Sequence, residues 1–243
     1  SNTRFWWIYG LVFSEDFTMQ RAVQPIFPTL IATGQLDNYR RHRPSLQKAY
    51  DEDKESGQWI TNTISDKAWH SLCPNEKDED GLNASDGIKN NLKDFIADLT
   101  KEASRFAYFN YGIDKSRCDW LCNVAWLNEI ENGGFQYKHN HTNSFLSLIY
   151  YLDTPPDEAK TRFHRPHCDM RPTMSFEADR YHDGNFEYVI PNMAKDTFII
   201  FPSYLHHEVP VMTTGKDGKP RRTFACNFIP NKIDTSSYIL ELK

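Results

Sequence analysis

Apolar residues at Ile88, Leu92, Phe95, Ile96, Leu99, Ala103 and Phe106 recur every three or four positions. That is the period of a helix with one buried face. The pattern predicts a helix over 86–106, with Ser85 or Asp86 as its N-cap. A stripe of this kind packs on a sheet rather than holding a cofactor. Upstream the pattern is less regular. Residues 22–32 read as a strand, and Pro25 and Pro28 place it at a sheet edge. Residues 36–50 are helix-like but interrupted at Pro44. Residues 51–87 are polar and acid-rich around Trp59 and Trp69.

Beyond Asp119 the character changes to short aromatic and aliphatic runs divided by turn signals. Strands are predicted over 118–128, 145–152, 160–165, 186–190, 196–201, 207–212 and 222–229. Between them lie Asn132-Gly133-Gly134, Pro155-Pro156, Asp183-Gly184 and the Lys216–Pro220 turn. Strands at this spacing build a sandwich or a double-sheet jelly roll. A chain of 243 residues buries one sizeable core, so one globular domain overall is expected. Within it, 1–21 reads as an N-terminal extension with Met19 as a natural start, 22–117 as an α/β support region, and 118–243 as the β core.

Composition narrows the class. Aromatics make up 14% of the chain, with 12 Tyr and 16 Phe, which favours pleated, half-buried positions over disorder. The net charge of −5 supplies no basic field for nucleic acid or an anionic membrane. The apolar run from Phe5 to Phe13 is far shorter than the roughly 20 residues a membrane helix needs. Cys73, Cys118, Cys122, Cys168 and Cys226 are odd in number and scattered. Reduced thiols in a cytoplasmic protein are expected, with Cys118 and Cys122 as buried strand thiols despite their zinc-like spacing. The basic run Arg40-Arg41-His42-Arg43 reads as a solvated helix face, and His42, His70 and His182 as solvated. The sequence leaves the oligomeric state open, a homodimer included.

The chemistry concentrates in histidine. Residues two apart on a strand share a face, so His139 and His141 can aim at one point. A third imidazole from a distant strand, within Tyr204-Leu205-His206-His207-Glu208, completes a set with open metal positions. That open face suits a non-haem Fe(II) centre. A rival, His167-Cys168-Asp169, has the His-x-Asp letters of the usual two-His-one-carboxylate triad but no apolar strand after it.

Four segments in order carry a resemblance. They are Gly-Gly-Phe-Gln-x-x-His-Asn-His-x-Asn-Ser-Phe-Leu-Ser (133–147), Tyr150-Tyr151, Phe-Pro-Ser-x-Leu-x-His (201–207) and Arg-x-Thr-x-x-x-Asn-Phe (221–228). Together the chain resembles the 2-oxoglutarate/Fe(II) oxygenases related to prolyl 4-hydroxylases, of the type found in marine bacteria and their phages. The resemblance implies a mainly β fold with flanking α-helices: a double-stranded β-helix, or jelly roll, serving as catalytic core over 118–243. It implies Fe(II), 2-oxoglutarate as cosubstrate, and O2. Carried onto this chain, it implies His139, His141 and His207 as metal ligands. A carboxylate usually stands where His141 does, so two His plus water, or His167 or Asp169 as third ligand, stay open. The 2-oxo acid chelates the metal through its keto and C1 carboxylate oxygens. Its far carboxylate needs a fixed cation, and Arg provides a planar, permanently charged fork. The resemblance implies Arg221 with Thr223 there, while Arg222 lies on the opposite strand face. Glu208 and Asn227 are candidates for orienting the imidazoles. Ser147 and Tyr151 share a face with the two histidines if strand alternation persists through the intervening turn, with core packing the other reading of Tyr151.

The implied reaction couples decarboxylation of 2-oxoglutarate to succinate and CO2 with hydroxylation of a C–H bond. The substrate is a small molecule or a peptidyl residue such as proline. Two other readings remain open: a cupin-like three-His dioxygenase independent of 2-oxoglutarate, and a non-catalytic jelly-roll binding module.

Overall fold

The computed structural model describes residues 28–61, 67–71, 78, 81–166, 186–213 and 218–241. The described residues from Ile31 onward form one compact unit. His167, Cys168, Asp169, His182, Cys73 and most of the strand expected over 22–32 lie outside the described residues.

In chain order the elements are β1 (Ala32–Gln35), α1 (Tyr39–Glu55), β2 (Trp59–Thr61), β3 (Ala68–Ser71), α2 (Asp86–Asn91) and α3 (Lys93–Tyr111). There follow β4 (Cys118–Ile130), β5 (Gln136–His139), β6 (Leu146–Tyr151) and β7 (Arg162–His164). The last are β8 (Tyr188–Val189), β9 (Thr197–Pro202), β10 (His207–Val209), β11 (Arg221–Asp234) and β12 (Ile239–Glu241). Each strand predicted beyond 118 has a counterpart, because alternation and turn residues are local signals. The short strands β1, β2, β3 and β12 were not anticipated, and β5, the strand expected to carry both His139 and His141, ends at His139.

Two helical expectations need correction. The helix over 86–106 is two helices, broken at Leu92. There Leu92 leaves helical backbone angles (φ −112°, ψ 12°), although its N–H still reaches the Ile88 carbonyl at 2.9 Å. Conversely, α1 runs through Pro44 without interruption. The carbonyl that Pro44 leaves unbonded is offset by burial of Leu46, Ala49 and Tyr50 along one face. The basic run is not simply a solvated face either. His42 is buried with Nε2 at 3.0 Å from Asp98, and Arg43 forks onto Asp196.

The strands form two antiparallel sheets among the described residues, an eight-stranded one in the order β1-β9-β6-β11-β4-β3-β2 with β12 on β11, and a four-stranded one, β5-β10-β7-β8. This is the two-sheet architecture of a double-stranded β-helix. One side of the large sheet is covered by α3, whose Phe95 meets Tyr150 and Phe224 edge-on at 5.0 and 5.2 Å. The other side faces the small sheet across Ile149, Tyr151, Phe163, Met193, Ile199, Phe201 and Leu205.

Register sets what faces that gap. Across β4, β11 and β6, three rows align: Asn128–Thr223–Tyr151, Trp126–Ala225–Ile149, and Val124–Asn227–Ser147. Because side chains alternate, Arg221 joins the same face, and Arg222 points the other way to pair with Asp153 at 2.6 Å.

The turn before β5 depends on a glycine. Gly133 N–H donates to Met212 at 2.7 Å, and a Cβ on Gly134 would stand 2.2 Å from the Lys67 carbonyl oxygen. Gly134→Ala is therefore expected to destabilise the fold by about 1–3 kcal/mol through backbone displacement. A urea melt reads this directly, and an unchanged midpoint would show that the turn gives way freely.

Candidate active site

His139 ends β5 and sits opposite His207, the first residue of β10. His141 lies two residues past the strand end, so strand alternation alone does not aim it. Its backbone N–H donates to the Ser203 carbonyl at 2.9 Å, and a turn with Asn143 in the left-handed region (φ 58°) leads on to β6. The three imidazoles gather. Their rings lie 4.3 to 5.4 Å apart, and one ligand nitrogen from each falls within 4.8 Å of the others.

Hydrogen bonds select which nitrogen is free. Nδ1 of His139 faces the Tyr137 carbonyl at 2.7 Å, and Nδ1 of His207 faces the Leu205 carbonyl at 3.1 Å. Nδ1 of His141 lies 2.7 Å from Asn227 Oδ1 and 2.9 Å from Ser147 Oγ. A carbonyl can only accept, so Nδ1 carries the proton and the Nε2 lone pair is left for a metal.

Burial keeps these rings neutral. It pulls the His141 pKa down to about 4, and the His139 and His207 values fall below the usual 6.5 for the same reason. The unfolded chain therefore takes up protons before the folded one does. Without metal, stability should be full above about pH 6.5 and decline as pH falls towards 4. Melting temperature against pH, with chelator present, checks this, and a flat profile over that window would contradict it.

A small cavity, open to solvent on one side, joins the histidines to Arg221. Its walls include Trp126, Asn128, Gln136, Thr161 and Thr223. Arg221 is almost fully buried. Its Nη2 donates to Thr161 Oγ1 at 3.0 Å and its guanidinium lies 5.5 Å from the Tyr151 ring centre, while its Nε has no partner. No carboxylate pairs with it among the described residues. Burial disfavours the charge and lowers the Arg221 pKa, so an anion at this end would supply what the protein leaves out. Three neutral imidazoles at one end and an uncompensated guanidinium at the other fit Fe(II) together with a dicarboxylic 2-oxo acid.

Residues 124–227, a span holding the three histidines, Arg221, Thr223 and Asn227, match the family described as "Putative 2OG-Fe(II) oxygenase". Over that span the sequence is that of a 2-oxoglutarate/Fe(II) oxygenase. Fe(II) and 2-oxoglutarate are the groups such a span uses, and the three imidazoles could hold the metal. No curated protein matches in sequence. Among solved structures, the non-haem α-ketoglutarate-dependent epimerase SnoN from nogalamycin biosynthesis is similar in fold at 10% identity and TM-score 0.51. That alignment covers 84% of this chain and 79% of that one. A Pseudomonas putida prolyl-4-hydroxylase aligns at 15% identity, TM-score 0.49, over 82% and 92% of the two chains. A Trichoplax adhaerens prolyl hydroxylase, solved with a hypoxia inducible factor peptide fragment, aligns at 13% identity and TM-score 0.49 over 82% and 83%.

Some neighbours of this oxygenase site were missed in sequence and others fall elsewhere. Thr161 was not anticipated, because nothing in its local pattern marks a threonine that meets Arg221 sixty residues away. His164 and Glu208 stand with Arg162 as a cluster, with Glu208 3.4 Å from His164 and 3.6 Å from Arg162. Glu208 bonds none of the three gathered imidazoles. Cys118, Cys122 and Cys226 are buried free thiols, remote from any ligand role.

Proposed function

We propose that His139, His141 and His207 hold the iron through Nε2, and that Arg221, beside Thr223, anchors the far carboxylate of 2-oxoglutarate. The carrying observation is the buried Arg221 guanidinium, with an unpartnered Nε, closing the cavity that opens on the three imidazoles. Iron, when bound, supplies O2 activation coupled to conversion of 2-oxoglutarate to succinate and CO2. The chain's own residues keep the imidazoles neutral, aim their lone pairs, and hold the cosubstrate at a fixed distance from the metal. The substrate we propose is a peptidyl residue such as proline, hydroxylated at a C–H bond, with a free small molecule as the alternative. Among the described residues no helix is long and apolar enough to cross a membrane. Buried free thiols support a reducing, cytoplasmic setting.

The competing reading is a three-His dioxygenase that needs no 2-oxo acid. Oxygen uptake and succinate release are measured with Fe(II), with and without 2-oxoglutarate. Uptake that ignores 2-oxoglutarate would remove the proposed role of Arg221.

A further inference from the structure

His141 is held by a buried relay of polar groups drawn from two strands of the large sheet and the turn after a third. Asn227 Oδ1 on β11 stands 2.7 Å from His141 Nδ1 and 2.8 Å from Ser147 Oγ on β6. Ser147 Oγ in turn stands 2.8 Å from Ser203 Oγ, just past β9. Asn227, Ser147 and Ser203 are all buried. Ser203 also grips the loop through its backbone, accepting from His141 N–H at 2.9 Å and donating to the Phe145 carbonyl at 3.0 Å.

The proton directions in this relay are mutually determined. With the Asn227 oxygen inward, it accepts from both the His141 ring and the Ser147 hydroxyl. Ser147 has then spent its proton, so Ser203 donates to it. Were the Asn227 amide turned over, its NH2 would donate to Nδ1, and the imidazole proton would move to Nε2. That proton would point at the other two imidazoles and block the lone pair a metal needs. With the oxygen inward, Ser147 donates to it and Ser203 donates to Ser147 in turn, so every group of the relay is satisfied in that arrangement.

We propose that Asn227, backed by Ser147 and Ser203, is a positioning residue that locks His141 in the Nδ1–H tautomer and so prepares the site for metal. The inference rests on the proposed ligand set. It explains how a histidine beyond the end of its strand can serve where strand geometry does not orient it. It also assigns a task to two serines and an asparagine that touch neither metal nor cosubstrate.

The test has a metal-free arm and a metal arm. In metal-free protein, nitrogen-15 shifts of the imidazoles report the tautomer. Wild type should show His141 protonated at Nδ1, and Asn227→Leu should transfer much of that proton to Nε2. Asn227→Asp, which keeps an acceptor oxygen in place, should preserve the wild-type tautomer. In anaerobic Fe(II) or Co(II) titrations, Asn227→Leu should bind about 10–100-fold more weakly, and Asn227→Asp within a few-fold of wild type. Ser203→Ala, a smaller change that serves if Asn227→Leu does not fold, should weaken binding about 3-fold or more by loosening the amide. The apparent KM for 2-oxoglutarate should move little in each variant once metal is saturating, because Arg221 is untouched. A merely structural role would lower the melting temperature without moving the proton. Nδ1 protonation surviving in Asn227→Leu, or metal affinity unchanged in both Asn227→Leu and Ser203→Ala, would overturn the proposal. A wild-type protein that takes up no divalent metal would instead overturn the ligand set, leaving the tautomer result to stand by itself.

Discussion

His207→Ala is expected to abolish retention of Fe(II). After anaerobic loading and desalting, the wild type should hold about one equivalent and the variant less than about a tenth. The effect follows from the pairing of His207 with His139 across β10 and β5, which makes His207 the hinge of the three-imidazole cluster. With His207 gone, His139 and His141 remain as two neighbouring donors, and two donors do not hold a labile divalent ion against water. The loss should exceed the 10–100-fold typical of changes behind a ligand. The imidazole also packs on Phe163 and Phe201, at 5.7 and 4.9 Å between ring centres. Its removal should therefore lower stability by about 2 kcal/mol as well. A control heated in parallel separates the two effects, because folded His207→Ala at low temperature should still lack metal. Equal metal content in the two proteins would disprove the assignment.

Arg221→Ala should act on the other end of the cavity. Metal content should stay near that of wild type, while the 2-oxoglutarate concentration needed for half-maximal turnover rises by about two to three orders of magnitude. A buried cation that meets a carboxylate by charge-assisted hydrogen bonds contributes about 2–5 kcal/mol when its partner would otherwise be stranded. Arg221 meets the conditions for such a contribution: it is buried, has an unpartnered Nε, and is bonded to Thr161 rather than to an acid. Arg221→Lys should recover only part of the loss, since an ammonium cannot make two parallel bonds to one carboxylate. Arg222→Ala is the matched control. Its side chain reaches Asp153 on the opposite face, so the cosubstrate requirement should not move. Should both variants shift it equally, the strand-face assignment fails.

Much of the fold was legible because its signals are local. Alternating apolar residues and the Gly, Pro and Asn-rich breaks between them located β4 and β6 to β11 with no knowledge of their partners. The opposite facing of Arg221 and Arg222 was readable in the same way, since neighbours on a strand always diverge. Where competing local interactions decide the outcome, the pattern misled. The long helix divides at Leu92, where the backbone angles leave the helical region, and packing carries α1 through Pro44. His42 reads as a surface residue in its polar run, yet it is buried because Asp98, fifty-six residues on, reaches it.

Residue type and spacing alone determined that this chain carries paired histidines before a buried strand, a distant histidine, and a late arginine on a pocket-facing strand side. Tertiary structure alone decided that His139, His141 and His207 meet. It also decided that Arg221 is sealed beside Thr161 with no acid to neutralise it among the described residues, and that Asn227 stands behind His141. The physical reason is one of range. Periodicity reports which face of an element is buried, whereas convergence, desolvation and hydrogen-bond partners depend on strand order and register across more than eighty residues, which no local window contains.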